Sequence, residues 1–222
     1  MRIPICYLQE EANANGRRGG RLSRTHLLWG AFATTLLLAG CGSQRPIHYY
    51  QITYPTSAAA AADAINTTLQ VRPFESSNLY LDNKIVYGLG AHEMGTYQEH
   101  RWAEPPVEIL QDALVRGLRS SGTFRAVYTT GVDTAAPYVL SGRVYDFKEV
   151  DDSSIIARLT YEVRLRNRKT GDTVWSSTYS YDQPVSEKTV SSFVDAMDQN
   201  VRRSVAEVQA GLLQYFREHP LP

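Results

Sequence analysis

His92, Glu93, Glu99 and His100 are the one place in this 222-residue chain where imidazoles and carboxylates gather within a few positions. Helical zinc chemistry needs His-Glu-x-x-His, which sets two imidazoles on one face with a base beside them. Here the histidines are eight apart, across a stretch that reads as a turn, and no third ligand is specified, so no metal is expected. Nucleophilic chemistry fares no better. There is no Gly-x-Ser-x-Gly elbow, and serines such as Ser76, Ser77, Ser120, Ser121, Ser153 and Ser154 sit where turns and helix ends use their hydroxyls. Gly88-Leu89-Gly90 is too short to cradle a phosphate and opens no helix. Asp151-Asp152 reads as a turn between strands. No catalytic residue and no cofactor follow from these patterns.

The thiol with a defined chemistry is Cys41. Arg17, Arg18, Arg21 and Arg24 lead into an apolar run, Leu27 to Ala39, that closes on Leu38-Ala39-Gly40-Cys41. That run is shorter than a membrane span and ends in small residues, as a secretory h-region does. A cysteine after such a cleavage site is the acceptor for a diacylglyceryl thioether, so residues 1–40 are expected to be a lipoprotein signal peptide and Cys41 a lipid anchor, palmitate-bearing and embedded in a membrane. Several acyl chains on one residue make attachment lasting, at about 0.8 kcal/mol per buried methylene. Gly42, not Asp, follows Cys41, which under the enterobacterial sorting rule directs the protein to the outer membrane, facing the periplasm. The polar first sixteen residues are unlike an ordinary n-region and leave the true start codon open.

Composition narrows the rest. The leader removes five arginines and two glutamates, leaving 18 of the 23 basic and 21 of the 23 acidic residues, a balance that excludes nucleic acid as a partner. Cys6 leaves with the leader and Cys41 is consumed by lipid, so no thiol remains for a disulfide, a metal or a nucleophile.

The elements that would position any site read as α+β. Residues 41–47 form a short lipidated tether, and 48–222 one domain. His48 to Tyr54 and Thr68 to Arg72 are rich in β-branched and aromatic residues and read as strands, with an alanine-rich excursion between them. Ser76 to Tyr80 reads as a loop. Lys84 to Gly90 and Gly95 to Trp102 read as a hairpin. Glu104-Pro105-Pro106 starts a helix with Val107, Leu110, Leu114 and Leu118 on one face, ended by Ser120-Ser121-Gly122. Phe124 to Tyr128 is a short strand. Tyr138 to Val150 is extended, but its apolar residues change parity, which calls for a bulge or two-sided burial. Ile155 to Arg166 alternates cleanly, Asn167 to Asp172 turns the chain with Gly171 at positive φ, and Thr173 to Tyr181 returns. Val190 to Phe216 repeats apolar residues at helical spacing over about seven turns. Both helices are expected on one face of a mixed or antiparallel sheet. Among fourteen tyrosines, Tyr87 and Tyr97 join His92, His100 and Trp102 on the hairpin as a candidate partner interface.

The order of motifs resembles the ABC-type transport auxiliary lipoproteins, the PqiC-like proteins that accompany MCE-domain lipid-transport systems. The resemblance is carried by Cys41 followed by Tyr49-Tyr50-Gln51-Ile52, Val71-Arg72-Pro73-Phe74 and Lys84-Ile85-Val86-Tyr87. It continues through Tyr97, Arg101-Trp102-Ala103-Glu104-Pro105-Pro106 and Gly122-Thr123-Phe124-Arg125-Ala126-Val127. It implies a non-catalytic accessory subunit of an MCE- or Mla-like intermembrane lipid transport system, with an MCE-domain protein and an ABC permease and ATPase as partners in a Gram-negative cell envelope. Homo-oligomerisation stays open. The alternative from the layout alone is a general envelope scaffold that binds peptidoglycan or outer-membrane proteins.

Overall fold

The computed structural model describes residues 45–53, 64–90, 92–129 and 135–221. The leader, Cys41 and the alanine-rich excursion at 56–63 lie outside the described residues. In chain order the elements are β1 (His48–Tyr50), β2 (Ile65–Val71), β3 (Glu75–Ser76), a 3-10 turn (Asn78–Tyr80), β4 (Lys84–Leu89), β5 (Glu93–Trp102), α1 (Pro106–Ser120), β6 (Phe124–Thr129), β7 (Tyr138–Asp151), β8 (Ile155–Asn167), β9 (Thr173–Pro184) and α2 (Val190–Glu218).

All nine strands belong to one mixed sheet with β7 as its spine. One edge of β7 pairs antiparallel with β8 along its length, and β9 pairs beyond β8. The other edge takes three short parallel partners in succession: β2 at Tyr138–Leu140, β3 at Arg143–Val144 and β4 at Lys148–Asp151. Beyond β2 lies β6, and beyond β4 lie β5 and then β1. Parallel partners need long connections, and α1 and the residue 72–83 crossing supply them.

The parity change in β7 is a bulge. Leu140 and Val144 are buried before it, Phe147 and Glu149 after it, and the register shifts between Val144 and Asp146. The extra residue returns the apolar side chains to one face. β8 follows the alternation of its sequence: Ala157, Leu159, Tyr161, Val163 and Leu165 are buried. Its outer face carries Arg158, bonded through two nitrogens to Asp182 at 2.7 Å, and Arg164, bonded to Glu162. Gly171, at φ 83°, closes the β8–β9 turn, a conformation that costs a side-chain-bearing residue dearly.

α1 begins with Pro106, whose missing N–H would have no partner in a first turn anyway. α2 starts where the Thr189 hydroxyl accepts from the Ser192 N–H at 3.2 Å. Its 29 residues span about 43 Å at about 1.5 Å per residue. Phe193, Met197, Val201, Val208, Leu212 and Phe216 form its buried stripe against the sheet. Buried Asn200 reaches out of this stripe to donate to the Ala157 carbonyl at 2.8 Å, fixing the helix's height over β8. Where α1 crosses α2, Gly117 faces Val205, and any Cβ at 117 would collide with that side chain. No helix among the described residues is long and apolar enough to cross a membrane.

Several element ends differ from their sequence expectation, β5 opening at Glu93 rather than Gly95 and β9 running to Pro184 rather than Tyr181, and three further differences follow from the packing. The first strand stops at Tyr50 rather than running to Tyr54: the Ala103 N–H takes the Tyr50 carbonyl at 2.7 Å, Ile52 turns into the core, and the Thr53 N–H donates to Asp198 on α2. The second strand is longer, because Ile65 and Thr67 are also buried and the Ile65 N–H donates to the Thr123 carbonyl. The expected loop at 76–80 contains a single 3-10 turn that buries Tyr80.

Candidate functional site

The β4–β5 hairpin forms with antiparallel pairing from Leu89↔Glu93 to Lys84↔Arg101. Its regular ladder breaks between Thr96 and Arg101, where three extra residues of β5 face β4. Within this irregular stretch the Arg101 guanidinium donates to the Tyr97 carbonyl and, at 3.0 Å, to that of His100. The bulge turns both Tyr97 and His100 toward the same group of rings.

Register pairs share a face, so Tyr87, Gly95 and Glu149 stand side by side across β4, β5 and β7. The Tyr87 ring lies over Gly95, where an added Cβ would come within 2.5 Å of it. Tyr87 meets Tyr97 edge-on at 5.1 Å, and Tyr97 meets His100 edge-on at 5.8 Å. Parallel pairing of β1 with β5 then sets His48 opposite His100 and Tyr50 opposite Trp102. The two imidazoles stack at 5.4 Å, and the Tyr50 hydroxyl bonds the His100 Nδ1 at 2.9 Å. Five partly exposed rings thus run in a row from Tyr87 to His48.

Glu149 lies beneath this row. It is 6% exposed, and the Tyr97 hydroxyl donates to its Oε1 at 2.8 Å. Burial, reinforced by nearby Asp151, pushes the Glu149 carboxyl above the usual range and outweighs the lowering effect of the Tyr97 hydrogen bond. The Tyr97 phenol is likewise pushed up, first by burial and then by its bond to Glu149.

Of the residues expected from sequence, Tyr87, Tyr97 and His100 come together. His92 is exposed in the hairpin turn, at the opposite end of β5 from His100, so the two imidazoles do not meet. Trp102 is fully buried, with its ring edge-on to Phe147 at 5.4 Å and tilted against Phe193 of α2 at 6.0 Å. It has no surface to offer a partner in this fold. His48, Tyr50 and Glu149 complete the group and were not singled out by sequence. His48 and Tyr50 are brought in by a parallel pairing with a strand 52 residues on, and the only trace of Glu149 was a carboxylate on the core parity of a strand. Among the described residues no three His, Cys, Asp or Glu side chains are grouped to hold a metal ion. The site offers aromatic area, hydroxyl and imidazole tips and one protonatable carboxyl, the chemistry of a contact surface.

No curated protein matches the chain significantly. Solved structures do. A protein from Xanthomonas campestris, described by the family model DUF330, is similar at 20% identity and a TM-score of 0.70, over 78% of this chain and 98% of its own. An uncharacterised protein of solved structure is similar at 16% identity and a TM-score of 0.61, over 76% of this chain and 99% of its own. At such identities the likeness establishes the fold. The family model for the ABC-type transport auxiliary lipoprotein component matches residues 50–209, from the last residue of β1 into α2, and the chain accordingly belongs to that family.

Proposed function

We propose that the protein is a lipid-anchored, non-catalytic subunit of an ABC-type transport system of the MCE or Mla-like kind, which moves lipid between the membranes of a Gram-negative envelope. In this reading residues 1–40 are the signal peptide, Cys41 carries the lipid at the outer membrane, residues 41–47 are the tether and 48–222 the periplasmic domain. The row of rings formed by Tyr87, Tyr97, His100, Tyr50 and His48, with His92 at its tip, receives the MCE-domain protein or the permease. The observation that carries the reading is this row itself: it is partly exposed, internally hydrogen-bonded and held over a buried carboxyl, in a chain of a transport auxiliary family. The experiment is affinity purification of the lipidated protein, at native expression and in several detergents, with identification of what accompanies it. An MCE-domain protein or ABC permease should co-purify. Their absence from every detergent would contradict the proposal.

A further inference from the structure

β9 is the outermost strand on its side of the sheet. It pairs with β8 and, among the described residues, with no other strand, so along Thr173–Pro184 every second residue directs its N–H and C=O away from β8. The strands that end the sheet elsewhere are shorter: β1 has 3 residues, and β6 has 6 with Arg125 exposed on it. Natural edges as long as β9 carry a charge, a proline or a bulge that keeps other strands away. β9 has all three, but only at its ends. A bulge falls at Val174, between the pairs Leu165↔Trp175 and Arg166↔Thr173, while Asp182, held by Arg158, and Pro184 close the other end. From Trp175 to Tyr181 the strand has no charged residue, no proline and no bulge.

The side chains of this window are already held in place. On the face toward α2, Trp175 lies against Gly211, where an added Cβ would come within 2.9 Å of the indole. Tyr179 stacks between Tyr161 at 5.4 Å and Tyr181 at 6.4 Å, and the Tyr181 hydroxyl donates to Glu207 at 2.7 Å. Arg203, bonded to the same carboxylate, sits over the Tyr181 ring at 5.1 Å. On the opposite face Ser176, Thr178 and Ser180 are exposed. An edge arranged in this way gives up little freedom when a further strand joins it.

We propose that the strand accepted here is β9 of a second copy of this chain, antiparallel, with the two-fold axis at Thr178. The sequence about Thr178 matches itself: Ser177 faces the partner's Tyr179, Ser176 the partner's Ser180 and Trp175 the partner's Tyr181, with Thr178 opposite its own counterpart. The aromatic pair and the two hydroxyl pairs are of kinds that stabilise neighbouring strands, and no like charges meet. An isologous contact demands such self-complementarity. Odd-numbered residues meet odd-numbered ones, so both copies keep their rings on the side of α2 and the sheet continues through the dimer with its faces unchanged. The pairing covers one short window, so the dimer is weak and forms as concentration rises.

The test uses the full chain as cells produce it, purified in detergent, with the parent chain as the blank for its own cysteines. Facing residues of an antiparallel pair have Cα atoms about 4.5–5.5 Å apart, within the reach of a disulfide. Under mild oxidation Thr178→Cys should therefore give a disulfide-linked dimer whose yield rises with protein concentration. A mixture of Ser176→Cys and Ser180→Cys should give more linked dimer than either variant alone, and Arg125→Cys on β6 should stay at the level of the blank. Thr178→Lys, at an exposed position opposite Glu162 of β8, should keep the parent's melting curve and weaken the dimer roughly ten-fold in sedimentation, because it sets two ammonium groups face to face. The proposal is overturned by any of four results: no linked dimer from Thr178→Cys at the highest concentration, equal yields from Thr178→Cys and Arg125→Cys, a Thr178→Cys product that contains another protein in place of a second copy, or a folded Thr178→Lys that associates as the parent does.

Discussion

Trp102→Phe separates a core role for this residue from a contact role. The indole is fully buried between Phe147 and Phe193, and its Nε1–H finds no acceptor among the described residues. Phenylalanine would keep the six-membered ring and lose about two carbons of burial, near 0.8 kcal/mol each. It would also open a hole on the order of 40 Å³, which costs about 1 kcal/mol at roughly 24 cal/mol per Å³. Against this, removing an unsatisfied buried donor returns about 1–3 kcal/mol. The opposing effects are of similar size, so the variant's stability should lie within about 2 kcal/mol of the parent, whereas Trp102→Ala should cost about 3–5 kcal/mol. Urea unfolding of the protein followed by circular dichroism measures both, and the purification described above measures partner recovery. Recovery should be unchanged in Trp102→Phe. A loss of more than about 3 kcal/mol would mean that the indole N–H is hydrogen-bonded in the fold. Loss of the partner at unchanged stability would mean that the indole is a contact residue, and the packing described here would be wrong.

Two further predictions follow from buried groups. Because the Glu149 carboxyl has a raised pKa, the native state keeps a proton that the unfolded chain gives up near the ordinary value of about 4.3. The favourable contribution is complete below that value and is lost as pH rises from it through the raised one. Glu149→Gln keeps an acceptor for the Tyr97 hydroxyl and removes the titration, so its melting temperature should gain on the parent's between pH 4 and 7; parallel profiles would contradict the assignment. At Gly142 an added Cβ would lie 2.5–2.7 Å from the buried Phe74 ring. That ring cannot easily retreat, since its own N–H donates to Gln111 of α1 at 2.9 Å and the next residue pairs with Arg143. Gly142→Ala should cost about 1–3 kcal/mol alone and much less in a Phe74→Ala background, a coupling that a double-mutant cycle reads directly; additive costs would contradict the contact.

Local patterns carried most of the fold. The strict alternation from Ile155 to Leu165, the stripe from Val190 to Phe216 and the positive-φ Gly171 each name their element from a few neighbouring residues, and the parity change along β7 left a bulge or two-sided burial, of which the fold uses the bulge. What stayed hidden was non-local. Nothing near His48 says that it pairs with His100, and nothing in β7 says that three different strands share one of its edges. The site suffered for the same reason. Tyr97 and Trp102 both belong to the hairpin and read alike in sequence, yet the first turn of α2 lays Phe193 over Trp102, while Tyr97 reaches Glu149, two residues beyond Phe147 on β7. Which aromatic is core and which is surface depends on where a helix more than eighty residues later begins.

The most direct test of the proposed function is site-specific photocrosslinking in living cells. A photoreactive phenylalanine analogue would replace Tyr97 in the row of rings and, in a second strain, Tyr145, which is 45% exposed and bonded to Glu162 among the charged side chains of the sheet. The account predicts a crosslink from position 97, and none from position 145, to an MCE-domain protein or ABC permease. A crosslink to the transporter from position 145 alone, or from neither position while both proteins are present at native levels, would contradict it.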